Sequence, residues 1–93
     1  MTYSKTKTSF YRRLLIAYLI ESGVNTVPTI CAETGMPRRT AQDTIAALEE
    51  LDILCEFVGA KKDGHYQIVE WGAINKSWVK THLRHIKDVL EYP

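Results

Sequence analysis

The sequence predicts a mainly helical α+β domain: three helices, a β-hairpin, then a last helix. Three observations carry that expectation. Apolar residues recur at helical spacing from residue 9 to 23 and from 37 to 51. The period then changes to strand-like alternation on either side of an Asp63-Gly64 turn signal. A chain of 93 residues holds one core and not two, so these elements share a single domain, 1–93.

In chain order, residues 1–8 are polar and rich in Thr, Ser and Lys, and are expected to be flexible. "SFYRRLLIAYLIESG" reads as a helix capped by Ser9, with Gly23 as its stop. Its apolar face, which includes Phe10, Leu14, Ala17 and Tyr18, is wide enough for a central helix packed on several sides. "VNTVP" is a short extended connector, because Pro28 pushes Val27 out of the helical region. A short helix "PTICAET" follows, with Pro28 in its first turn, and Gly35 ends it. Pro37 opens the next helix, "PRRTAQDTIAALEEL", whose apolar stripe is Ala41, Ile45 and Leu48.

In "ILCEFVG" the residues Ile53, Cys55 and Phe57 share one face, and in "HYQIVEW" so do Tyr66 and Ile68. With "AKKDG" between them they form a hairpin, 53–70, bearing Lys61 and Lys62 at its tip. Asn75 or Ser77 caps a last helix, 75–91, whose apolar face includes Trp78, Val79, Leu83, Ile86, Val89 and Leu90.

Composition is ordinary for a globular protein, 45% hydrophobic and 25% charged. The longest apolar run, Leu14 to Ile20, is far too short to span a bilayer, and the N-terminus lacks a secretory signal pattern. The expectation is a cytoplasmic protein without a membrane partner. Cys31 and Cys55 stand too far apart in sequence for a C-x-x-C site and read as reduced, largely buried thiols. The net charge is +1, but unevenly distributed. Residues 1–13 carry Lys5, Lys7, Arg12 and Arg13 with no acid, and residues 43–56 carry five acids with no base. Such asymmetry aims a basic surface at an anion while the molecule stays near neutral.

A helix-turn-helix followed directly by a β-hairpin is the winged-helix arrangement. Between Ile30 and Leu51 the chain resembles a bacterial winged helix-turn-helix: Ile30 at the core anchor, Cys31 at the small-residue contact between the helices, Gly35 at the turn, Ala41 and Ile45 buried. Over nearly its full length, including "GHYQIVEWGAINKSWV" and "HIKDVLEYP", it is similar to a family of short bacterial winged helix-turn-helix proteins of unassigned function. Thr34 departs from the pattern, standing where such motifs usually carry an apolar residue.

The resemblance implies that helix 37–51 enters the major groove of double-stranded DNA and that the hairpin touches backbone or minor groove. By position, the exposed front of that helix is Arg38, Arg39, Gln42 and Asp43. Arginine can fork onto guanine, glutamine can pair with adenine, and aspartate can accept from cytosine. Thr40 near the helix start, with Lys61 and Lys62 on the wing, would hold phosphates, and the N-terminal cations would act as a flexible electrostatic arm. The expected function is transcriptional regulation by operator binding. Its alternative is a winged-helix protein–protein module without DNA binding, which the acids of 43–56 favour.

The last helix carries more apolar surface than a small core needs. Trp78, Val79, His82, Leu83, Ile86 and Leu90 are therefore expected at a homodimer interface. His82 and His85 are half of a metal site at best and read as surface histidines, so neither metal nor cofactor is expected. Trp71 and Trp78 read as core aromatics. No Gly-rich phosphate loop or nucleophile elbow is present, and the protein does not read as an enzyme.

Overall fold

A computed structural model describes residues 2–93. The architecture is the expected one: helices, a two-stranded antiparallel hairpin, and more helix. The elements are α1 (Lys5–Glu21), α2 (Val27–Thr34), α3 (Arg38–Ala46) with a 3₁₀ extension (Ala47–Leu51), β1 (Leu54–Val58), β2 (His65–Glu70), α4 (Lys76–Thr81) and α5 (Leu83–Leu90).

The first helix begins earlier than its apolar pattern suggests. Ser4, not Ser9, is the N-cap, and its hydroxyl accepts from the Lys7 N–H at 3.1 Å. The Lys7 ammonium lies over the Tyr3 and Tyr11 rings, 4.7 and 5.4 Å from their centroids. A local cap and these contacts extend the helix through residues 5–8, which were expected to be flexible; Met1 lies outside the described residues.

α1 divides two apolar clusters. Ile16, Ala17 and Ile20 pack with Val27, Ile30, Met36, Ala41, Ile45, Leu48 and Ile53. Leu14, Leu15 and Leu19 pack with Val79 and Ile86. A helix that serves two clusters needs apolar residues nearly all round, which is why its apolar face is so wide.

Between α1 and α3 each turn has a local cause. Thr26 and Thr29 cap each other reciprocally at the start of α2. Gly35 ends α2 in the left-handed region at φ 79°, a conformation that favours glycine. Thr34, unexpected at its position, is buried and makes two hydrogen bonds. Its hydroxyl donates to the Ile30 carbonyl at 2.8 Å and accepts from the Met36 N–H at 3.1 Å. The hydroxyl thus provides the acceptor that the turn's buried N–H needs.

The hairpin pairs Cys55 with Ile68, Glu56 with Gln67, Phe57 with Tyr66 and Val58 with His65, and its register shifts between Leu54 and Cys55. Burial falls from the residue before β1 along the strand's inner row: Ile53 is buried, Cys55 half-buried, and Phe57 47% exposed. The Tyr66 N–H donates to the Asn25 carbonyl at 2.8 Å, tying β2 to the connector between α1 and α2.

The C-terminal helix is not continuous. The Thr81 hydroxyl donates to the Ser77 and Trp78 carbonyls, and the His82 ring nitrogen Nδ1 lies 2.9 Å from the same Trp78 oxygen. Side chains crowding the backbone ladder bend helices, and here the chain leaves helical geometry at His82 (φ −110°, ψ 21°) before resuming as α5.

Candidate nucleic-acid interface

α3 projects its polar face from a core-facing stripe of Ala41, Thr44 and Ile45. The Thr44 hydroxyl is occupied internally, donating to the Thr40 carbonyl at 2.7 Å. Arg38, Arg39, Gln42 and Asp43 are exposed, and Thr40 is half-buried. The start of α3 has Pro37 as N-cap and no side-chain cap. Among the described residues no side chain accepts from its first-turn N–H groups, which leaves them suited to an anion.

The polar face does not form a single surface. Arg38 and Gln42 turn toward the hairpin, where they line a groove of about 380 Å³ with Phe57, Lys61 and Lys62. Thr40 and Asp43 turn the other way, onto a groove of about 250 Å³ that they share with Arg12 and Arg13 of α1. Arg39 projects outward between the two, its side chain 91% exposed and loosely paired with Asp43 at 3.8 Å. Arg12 and Arg13 are not a flexible arm. They are fixed on α1, half-buried beside α3, with Arg12 Nε donating to the Tyr92 hydroxyl at 3.4 Å. Cations thus flank α3 on both sides.

The acids lie elsewhere. After Ala46 the helix tightens to 3₁₀ geometry, and Glu49, Glu50 and Asp52 are exposed at that end. Glu49 borders a third groove, between α3 and β1, with Ile45, Leu54 and Cys55. Burial first, and the neighbouring Glu56 second, push the Cys55 thiol above its usual pKa.

Two groups of consequence carry no clear signal in the sequence. One is Phe57, which looks like a core residue by alternation yet stands open at the groove. The other is Glu21, which accepts from the Trp71 indole at 3.0 Å and pairs with Lys76 at 2.6 Å. Burial raises the Glu21 pKa, but the bonds from Lys76 and Trp71 and the Lys76 charge outweigh it and hold the carboxyl below its ordinary value. Together they fasten the end of α1 to the start of α4.

Of the residues expected between subunits, Val79 and Ile86 are fully buried within this chain's own core and are not available to a partner. Leu83 and Leu90 are half-buried against the same cluster. Trp78 is 36% exposed, and its ring stacks on His82 with centroids 4.3 Å apart. Tyr11 meets both Trp78 and His85 edge-on. Among the described residues no group of three or more His, Cys, Asp or Glu is placed to hold a metal ion, and no helix is long and apolar enough to cross a membrane.

A family model described as winged helix-turn helix matches residues 5–90. The solved structure of a DUF2131 family protein from Shewanella amazonensis SB2B is similar over 98% of this chain and 91% of that one, with a TM-score of 0.90 and 35% sequence identity. No curated protein matches the chain.

Proposed function

The chain belongs to the winged helix-turn-helix family, and from that premise we propose that it binds double-stranded DNA sequence-specifically as a bacterial transcriptional regulator. The observation that carries the reading is the convergence of Arg38 and Gln42 from α3 with Lys61 and Lys62 from the hairpin tip on one groove. In this reading α3 lies in the major groove. Arg38, Arg39 and Gln42 meet base edges, and Asp43 accepts from a cytosine amino group. Thr40, Lys61 and Lys62 hold phosphates, with Arg12 and Arg13 on the far side of α3.

The active species is a homodimer that spaces two α3 helices about one DNA turn apart. With Val79 and Ile86 withdrawn into the core, its contact falls to Trp78, His82 and the half-buried Leu83 and Leu90, with Phe10 and Tyr11 beside them. An apolar groove of about 280 Å³ between α1 and α4 adjoins Trp78. Analytical ultracentrifugation of wild type and Trp78→Ala tests this, and a monomeric wild type would dismiss it.

The test of DNA binding is selection from random duplexes at two salt concentrations, with Arg38→Ala/Arg39→Ala as control. An enriched motif lost in the double variant supports the regulator. Absence of binding even at low salt removes DNA from the account, because phosphate contacts are strongest there.

A second reading has its own observation. Leu54, Val58 and Val69 are exposed on the hairpin, next to Glu56 and near the acids after α3. That surface suits a protein partner better than a phosphate backbone. Binding through it would be nearly independent of salt in comparison with DNA binding.

A further inference from the structure

We propose that the groove between α3 and the hairpin tip is a site for one unstacked nucleotide, with Phe57 against the face of the base, Arg38 and Gln42 at its edge, and Lys61 and Lys62 around the phosphate. Where the nucleotide belongs to a DNA strand, the proposal rests on the DNA reading above. Where it is free, it does not.

The first support is the state of Phe57. A phenylalanine 47% exposed is apolar surface left in water, and this one is held in place. Its ring meets Tyr66 edge-on, with centroids 5.0 Å apart at 73°. It also lies directly over Gly64, where an added Cβ would fall 2.5 Å from Phe57 Cζ. The glycine leaves room for the ring, and Tyr66 packs on it edge-on. A pre-positioned aromatic ring loses little freedom on stacking against a base.

The second support is charge. Arg38, Lys61 and Lys62 line the same groove as the ring, and among the described residues none of the three makes an ion pair. Three cations without carboxylate partners beside an open aromatic ring match the two halves of a nucleotide, an anion and a planar base. Gln42 on the opposite wall adds an amide that can hydrogen-bond a base edge. A groove of about 380 Å³ is within the size range of small-ligand sites. The start of α2 also borders it, but offers the phosphate little. Thr26 and Thr29 already cap each other there, and Pro28 has no N–H.

In DNA this arrangement takes a base that is already unpaired, stacking on its face as aromatic side chains do with single-stranded bases. The experiment has two arms on the full chain, both read by NMR at Phe57 and Gly64 and by affinity. One arm uses a short mixed-sequence duplex, fully paired or carrying one unpaired thymine. The other uses thymidine 5′-monophosphate alone. Expected in the first arm is a preference of roughly five- to a hundredfold for the unpaired thymine. Phe57→Leu removes the preference but leaves paired-duplex binding.

Shifts at Phe57 and Gly64 with the free nucleotide, abolished by Lys61→Ala/Lys62→Ala, would also support the site and assign it a soluble ligand. That holds even if no duplex binds, in which case only the DNA reading falls. If paired duplex binds but the unpaired thymine brings no gain, Phe57→Leu behaves as wild type and the free nucleotide shifts nothing, the nucleotide site is wrong and the DNA reading stands. If neither duplex nor nucleotide binds, both are wrong.

Discussion

Replacing Thr34 by valine sets two effects against each other, and the structure decides the sign. The motif usually has an apolar residue at this place, so hydrophobicity alone predicts a gain. Exchanging the hydroxyl for a methyl is worth about 0.8 kcal/mol of buried apolar surface. Against that, the Met36 N–H is buried and donates to the Thr34 hydroxyl. Valine leaves that donor without an acceptor, at a cost of about 1–3 kcal/mol. The Ile30 carbonyl loses less, because helical geometry already makes it the acceptor for residue 34's own N–H. The expected net change is a destabilisation of about 0.2–2 kcal/mol. In a domain of this size each kcal/mol lowers the melting temperature by about 4–8 °C. Thr34→Ser, which keeps the hydrogen bonds and loses only a methyl, serves as control. Calorimetry gives the stabilities, and hydrogen exchange at the Met36 amide separates the variants: valine loses its protection and serine keeps it. A valine variant that melts at or above wild type with Met36 still protected would refute the reasoning.

Three further outcomes are expected. Arg38→Ala/Arg39→Ala should weaken binding to a selected duplex at least about tenfold and relax its preference at the contacted base pairs, as read by fluorescence anisotropy with the selected duplex and its single-base variants; its fold should survive, since among the described residues Arg39 has only a loose exposed partner and Arg38 forms no ion pair. Gly64→Ala forces a methyl against Phe57 and 2.5 Å from the Ala60 carbonyl oxygen, so the hairpin should loosen at a cost of about 1–3 kcal/mol, seen as lost exchange protection in β1 and β2 with the helices intact. Glu21 has a folded pKa below its ordinary value, so its contribution to stability is present above the ordinary value and is lost as pH falls through the folded one; wild type should exceed Glu21→Gln in stability near neutral pH, and thermal melts should converge in acid, an unchanged gap speaking against the Lys76 pair as its source.

Where periodicity and turn chemistry act within a few residues, they were legible in the sequence. Gly35, the Ala41–Ile45–Leu48 stripe, the two strands and the lysine-bearing tip could all be read from neighbouring residues. Contacts between distant residues could not. The alternation of β1 puts Phe57 in a row with Ile53, but burial also depends on how far the strand runs past the body of the domain, and by residue 57 it has left the core. Val79 and Ile86 look surplus on an isolated helical wheel, because nothing in the last helix reveals that the Leu14–Leu15–Leu19 face of α1 needs them. The break at His82 comes from hydroxyl and imidazole groups competing for backbone oxygens, in residues whose propensities do not forbid a helix. Of the candidate interface, the resemblance points to the exposed residues of α3 but says nothing of their division between two grooves.

The bond from Tyr66 to Asn25 joins the hairpin to the segment that launches α2. Asn25 precedes the α2 cap, and α2 packs on α3, so one wall of the groove is mechanically coupled to the other through a few stiff links. The spacing of the two walls is thus linked, through one hydrogen bond and one helix packing, to the connector between α1 and α2. Cutting the link from the Asn25 side, by replacing Asn25 with proline or shortening the residues before it, would change that spacing without altering Arg38, Gln42, Phe57, Lys61 or Lys62.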